Sequence, residues 1–213
     1  MRLRRQEGCL VLPVAVLVSG SGSNLQALLD ASAADPEFGA RIAVVISDRP
    51  GVGALQRALQ SGVPAEVVRW GEFNDRESFS VAICDTAERY GAEALILAGF
   101  MRILSPAAID RYPNRIINIH PALLPAFPGA HAVPAALAHG VKVSGVTVHF
   151  VDDEVDHGPI IAQQAVPVQS DDTEETLHAR IQKEEHLLFP LVIKAFSAGS
   201  LRVVGRHVIW EES

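Results

Sequence analysis

The sequence predicts an α/β fold: one domain on a doubly wound, mostly parallel sheet, extended at its C-terminal side by long strands and a long helix. Three observations lead there. From residue 13 to residue 120, near-continuous Val/Ile/Leu runs of strand length alternate with helical patterns, which indicates a parallel sheet covered on both faces. The 213 residues, 48% of them hydrophobic, suit a single substantial core. No internal repeat, low-complexity tract or linker divides the chain. Residues 1–12 read as a flexible basic lead-in and residues 13–213 as the domain.

Each element has a local reason. "PVAVLVSG" is the first strand, and a helix from about Asn24 to Ala34 follows it. "RIAVVISD" and a helix over 52–61 form the next unit, then "AEVVRW" and a long helix from about Asp75 to Tyr90. The strand "ALILAG" leads to a short helix started by Ser105 as N-cap and Pro106 in the first turn. "RIINIH" is a strand closed by Pro121, which cannot donate to a sheet ladder. After residue 140 the pattern changes. "SGVTVHFVD" and "PIIAQQAVPV" are long alternating strands joined by the loop or ribbon "DEVDHG". A capping-box-like "DTEE", Asp172 to Glu175, opens an amphipathic helix to about Phe196, and a hairpin around Gly205 ends the chain.

Composition narrows the function. With 18 Lys plus Arg against 25 Asp plus Glu, the net charge is −7, so the domain has no long-range attraction for nucleic acid. Cys9 and Cys84 stand far apart with no CxxC, which speaks against a disulfide framework or a zinc site and for a reducing cytoplasm. The start, with Arg4-Arg5 before an apolar run, resembles a secretory signal. The strand reading is preferred, because the small residues after that run continue into a phosphate-loop pattern. No segment approaches the ~18 uninterrupted apolar residues of a membrane span.

Three places carry chemistry. "SGSGSN", Ser19 to Asn24, sits between the first strand and the first helix. Its glycines admit a ligand close to the backbone, and the helix start supplies unpaired N–H groups and a positive dipole end. Without a third glycine, and with Asp48 arriving only after Ser47, it suits a single phosphate better than a dinucleotide. In "NIHP", Asn118 and His120 are two residues apart on a strand, so both project to one side at its C-terminal end, where ligands of open α/β sheets bind. A self-satisfied polar pair is the plain alternative. In "DDEVDHGPI" the acids Asp152 and Asp153 read as a solvated loop, whereas Asp156 stands beside the tight turn that Gly158-Pro159 imposes.

Taken together, "SGSGSN", "MRIL", "NIHPALLP" and "HFVDDEVDHGPII" resemble the 10-formyltetrahydrofolate-dependent formyltransferases from about residue 13 to 210. The resemblance implies a Rossmann-like formyltransferase fold with Asn118, His120 and Asp156 as catalytic residues. It implies transfer of the formyl group of 10-formyltetrahydrofolate to the amine of glycinamide ribonucleotide, without metal or covalent intermediate. Gly22, Ser23 and Asn24 would then hold the ribonucleotide phosphate and Glu185 the ribose hydroxyls. Arg102, Ile103, Leu104 and the Val151–Asp156 loop, Asp153 included, would clasp the folate pterin, with Arg76 near the folate glutamate. The resemblance also implies a homodimer, small-molecule partners only, and a cis peptide at Leu124–Pro125 in "ALLP". His131 is read as standing behind the substrate, His139 and His149 as structural, Cys84 as buried and inert, and His157 as without a role.

Other readings compete. Formyl transfer to methionyl-tRNA requires affinity for tRNA, which an acidic chain lacks, and a further C-terminal domain. The family's deformylases carry an N-terminal regulatory domain, for which 12 residues leave no room, and read His in place of Pro121. A catalytically silent nucleotide-binding module of the same fold would have no use for Asn118, His120 and Asp156 together.

Overall fold

The computed structural model describes residues 11–211. The basic lead-in therefore lies outside the described residues except for its last two, and Arg4-Arg5 and Cys9 lie wholly outside them. The chain runs β1 (Leu12–Val18), α1 (Ser23–Ala34), β2 (Ala40–Ser47), α2 (Gly53–Gln60), β3 (Ala65–Val67), α3 (Arg76–Arg89), β4 (Ala94–Leu97), α4 (Pro106–Arg111), β5 (Ile116–His120), α5 (Ala132–His139), β6 (Val143–Phe150), β7 (Ile160–Pro167), α6 (Glu174–Ser197), β8 (Leu201–Val204) and β9 (His207–Trp210). The strands form one sheet in the order β3-β2-β1-β4-β5-β6-β7-β9-β8. From β3 to β5 every pairing is parallel; β6 then runs antiparallel to both β5 and β7.

Alternation along β1 shows why this half is covered twice. Val14, Val16 and Val18 join the core beneath α1 and α6, while Ala15 and Leu17 join the core beneath α3 and α4. All five are buried, as the unbroken apolar run requires. Because β1 lies between β2 and β4, the connections leave it in opposite directions. That divergence opens a crevice at the strands' carboxyl ends. The two loops at this point are knit together: Ser19 N–H donates to the Gly99 carbonyl (3.1 Å), and Met101 N–H to Ser19 Oγ (2.9 Å).

Three local expectations change. The third strand is shorter than "AEVVRW", because Trp70 N–H turns to the Asp48 carbonyl (3.2 Å) and a 3-10 turn at Trp70–Glu72 seats the indole edge-on against Phe79. Ser105 does occupy the N-cap of α4, but its hydroxyl makes no cap bond and is buried without a partner. Its backbone carbonyl instead accepts from Ala108 and Ile109, and its N–H is held by Ser80 Oγ. At α6 the capping box is Thr173 with Thr176 rather than Asp172 with Glu175. Asp172 is drawn off by Arg180, which grips both its oxygens (2.7 and 2.8 Å). The expected cis peptide at Leu124–Pro125 and the hairpin around Gly205 are both present. Cys84 is buried, and desolvation pushes its thiol up to about 11. Among the described residues no helix is long and apolar enough to cross a membrane.

The β6–β7 connection is pinned at its neck. Phe150 N–H donates to the Pro159 carbonyl (2.9 Å), and a Cβ at Gly158 would run into the Phe150 carbonyl. Gly158→Ala should therefore cost about 1–3 kcal/mol in denaturant unfolding, as overpacking does. Gly71→Ala, where an added Cβ meets nothing within 4 Å, should stay within about 0.5 kcal/mol of the parent.

Candidate functional site

The glycine-rich turn after β1 is built for close approach. Gly22 caps α1 in the left-handed region (φ 77°), and a Cβ there would lie 2.6 Å from that of Ala54. Glycine is thus required both by conformation and by space. No side chain caps α1, so its first N–H groups remain available to an anion. The turn is braced from α2: Ala54 N–H donates to the Gly20 carbonyl (3.1 Å) and Arg57 Nε to the Ser21 carbonyl (2.9 Å). From the other side α6 reaches in. Gln182 Nε2 donates to Ser23 Oγ (2.8 Å), and Asn24 Nδ2 donates to Glu185 Oε2 (3.0 Å). Asn24 Oδ1 is buried without a partner.

At the end of β5, the side chains of Asn118 and His120 do share a side, and Asp156 meets them both. Asp156 Oδ1 accepts from Asn118 Nδ2 (3.3 Å), and Oδ2 lies 3.3 Å from His120 Nδ1 and 2.7 Å from the Gly129 N–H. Asp156 adopts φ 52°, a left-handed conformation that Asp tolerates better than most residues. His120 is almost completely buried, with Nε2 2.8 Å from the Phe127 carbonyl. A carbonyl only accepts, so Nε2 carries a proton. Nδ1 is then the ring nitrogen that faces the Asp156 carboxylate.

His149 is the residue that sequence reasoning placed elsewhere. Antiparallel pairing sets it directly opposite Asn118, and its Nε2 lies 3.2 Å from Asn118 Nδ2. Its Nδ1–H goes to the Phe150 carbonyl (2.7 Å), and Nε2 stands between Asn118 Nδ2 and Asp156 Oδ1, 3.7 Å from the latter. Asn118 Nδ2 thus lies between His149 Nε2 and Asp156 Oδ1, to which it donates. The β5–β6 register was the missing signal: it turns a mid-strand histidine into a neighbour of the site.

Two carboxyls of the cleft are pushed in opposite directions. Burial works to raise Asp156, but the His149 imidazole, the Gly129 N–H and the His120 imidazole outweigh it and hold the carboxyl below the ordinary range. For Glu185 burial prevails over the Asn24 hydrogen bond and pushes the carboxyl up. The cleft thus holds one acid kept ionised and one drawn toward its neutral form.

The remaining sequence candidates are more dispersed. Arg102 Nε donates to Asp48 (2.8 Å), its guanidinium stands 5.2 Å from the Trp70 ring centroid, and Arg49 binds Asp48 from the other side. Leu104 is buried in the core, while Met101 and Ile103 expose apolar surface on the same loop. Val151 is half-buried and bonded to the Ile116 carbonyl; Asp153 is exposed. Arg76 begins α3, exposed, and no side-chain bond of the site reaches it. His131 occupies the N-cap of α5 and is exposed, and it joins neither cluster. Asp152 is less solvated than expected, because it binds His157 Nδ1 (2.8 Å). Among the described residues no group of three His, Cys, Asp or Glu is arranged to hold a metal ion.

A carboxylate with a lowered pKa contributes stability that is fully present above its unfolded value, near 3.9, and is lost as pH falls through the folded value. The stability gap between the parent and Asp156→Asn should therefore be widest near neutrality and shrink between about pH 5 and pH 2. Denaturant midpoints across that range measure it.

Comparison with known proteins matches this architecture. A family model described as formyl transferase covers residues 12–193. The chain is 42% identical over 190 residues to the phosphoribosylglycinamide formyltransferase of Escherichia coli (strain K12), spanning 89% of each. It is 43% identical over 190 residues to the trifunctional purine biosynthetic protein adenosine-3 of Gallus gallus, covering 89% of this chain but only 19% of that longer protein. The crystal structure of glycinamide ribonucleotide transformylase 1 from Symbiobacterium toebii superposes with a TM-score of 0.93 at 45% identity, over 100% of this chain and 99% of that one.

Proposed function

The chain belongs to the formyl transferase family, and on that premise we propose that it transfers the formyl group of 10-formyltetrahydrofolate to the amine of glycinamide ribonucleotide, a step of purine biosynthesis. The observation that carries the reading is the convergence of Asn118, His120 and Asp156, at 3.3 Å, at the carboxyl end of β5. Some 45% identity to a structure named for this reaction, over essentially the whole chain, supports the choice of acceptor.

The amine lone pair attacks the formyl carbon, and the carbonyl π electrons move onto oxygen. The developing oxyanion takes a hydrogen bond from Asn118 Nδ2 beside the His120 imidazole. One Asn118 N–H must leave its resting acceptor, His149 or Asp156, to do so. Collapse restores the carbonyl and breaks the bond to folate N10. Across the whole step the amine loses one proton and N10 gains one. Asp156, held ionised, is the base placed to receive the first and return the second.

Substrate binding follows the two remaining clusters. The α1 N-terminus at Gly22, Ser23 and Asn24 receives the phosphate, and Glu185, beside Asn24, accepts from the ribose hydroxyls. The exposed apolar side chains Met101 and Ile103 flank the folate, whose pterin meets the backbone of Arg102, Leu104 and the Val151–Asp156 loop. Arg76 is the proposed partner of the folate glutamate.

Asp156→Asn preserves shape and removes charge, so folding should survive while kcat falls by on the order of 10²–10⁴. Asp153→Asn changes an exposed side chain and leaves in place the loop backbone proposed to meet the pterin, so its kcat should match the parent at saturating folate. Parent-like activity in Asp156→Asn, measured with 10-formyl-dideazafolate and saturating ribonucleotide, would remove the base from the scheme. Asn118→Ala should lower kcat by on the order of 10²–10³, the usual loss for one preorganised oxyanion donor, with little change in KM. A rise in KM alone would make Asn118 a binding residue.

A further inference from the structure

Beyond the residues that touch the reacting groups, the geometry points to Arg206 as a positioning residue that straps the Asp156 loop to the C-terminal hairpin. Arg206 is the second residue of the two-residue turn between β8 and β9, after Gly205 in the left-handed region (φ 58°), so a tight turn presents it rigidly. Its Nη2 donates to the His157 carbonyl (2.6 Å), and its Nη1 lies 3.2 Å from His157 Nε2 and 3.4 Å from Nδ1. His157 Nδ1 is 2.8 Å from Asp152 Oδ2, and Asp152 Oδ1 accepts the Glu154 N–H (3.2 Å). These bonds have one consistent direction: Nδ1–H donates to Asp152, which leaves Nε2 to accept from Arg206.

The chain of contacts therefore ties the first acid of the loop to the residue following Asp156, and both to the hairpin. The hairpin is in turn anchored beside the loop's exit, by the Ile160–His207 pairing and by Trp210 Nε1 donating to the Ile161 carbonyl (3.0 Å). Asp156 sits in a left-handed backbone conformation, and the next peptide but one, His157–Gly158, is the one whose carbonyl Arg206 holds. Holding His157 at both its ring and its carbonyl restrains the backbone just after Asp156, and so the placement of a carboxylate whose contacts with Asn118, Gly129 and His120 span only 2.7–3.3 Å. His157 and Asp152 are both substantially solvent-exposed, at 46% and 34% of their side chains, so these contacts add little to global stability. Their effect is local order. The inference rests on the proposed role of Asp156.

The test compares Arg206→Ala, Arg206→Lys, His157→Ala and the double variant with Arg202→Ala, whose described ion pair is with Glu211 on the same hairpin. In Arg206→Ala we expect kcat to fall about tenfold or more, as a misplacement of ~1 Å can produce. KM for the ribonucleotide and the melting temperature should not move, and amide exchange over residues 152–158 should accelerate. Arg206→Lys should recover part of the loss, the double variant should be no worse than the worse single one, and Arg202→Ala should match the parent. A kcat within twofold of the parent, unchanged exchange over 152–158, or a loss of kcat matched by a fall in melting temperature would overturn the strap. Asp156→Asn, assayed alongside, separates the two ideas. If it stays active the catalytic reading fails, while the exchange data still decide whether Arg206 orders the loop.

Discussion

A single carboxylate holds the cleft together. Asp156 accepts from Asn118 on β5 and from the Gly129 N–H in the segment after it, and it faces His120 at the strand's end. His149, on β6, stands 3.7 Å away. Three stretches of chain thus converge on the two carboxylate oxygens. The arrangement demands a residue able to sit at positive φ on a loop whose neck is closed by Gly158 and Pro159. It also demands that β5 and β6 run antiparallel, since only that register sets His149 opposite Asn118. The change from parallel to antiparallel pairing in mid-sheet is thus tied to the chemistry of the site.

Much of this was legible in the sequence, and the reason is local. Apolar runs covered on both faces, a glycine-rich turn at a strand end, and two polar residues at strand spacing are each written within ten residues. Contacts across the fold were not. Gln182 reaching Ser23, and Asn24 bonding Glu185, join positions about 160 residues apart, and helix periodicity alone cannot say which turn of α6 meets the phosphate loop. His149 reads as structural in the sequence, and its place beside Asn118 goes unseen for the same reason, because it depends on strand register. The capping box at Thr173 failed differently. "DTEE" satisfies the pattern one residue early, and the competing attraction of Arg180 for Asp172 decides between the two settings.

The opposed shifts of Asp156 and Glu185 show how one cleft separates two acids of similar intrinsic strength. Asp156 has basic and N–H partners on several sides. Glu185 is almost wholly enclosed, and the Asn24 amide that binds it does not repay its desolvation. Burial raises the pKa in both cases, so the difference lies in the company each carboxyl keeps. A glutamic acid drawn toward neutrality suits polar, uncharged hydroxyls, whereas a carboxylate held ionised suits proton traffic.

The internal hydrogen bonding of the site has a consequence for chemical fidelity. With Asn118 Nδ2 bonded to Asp156 and His120 Nε2 to the Phe127 carbonyl, these two side chains already spend hydrogen bonds inside the fold, which leaves them less free to activate a stray water against a bound formyl donor. Activation has to be purchased by exchanging an internal hydrogen bond for one to the substrate, and a well-placed acceptor oxygen favours that exchange. Wasteful hydrolysis of the one-carbon unit is thereby disfavoured by the same bonds that keep the cleft in order between turnovers.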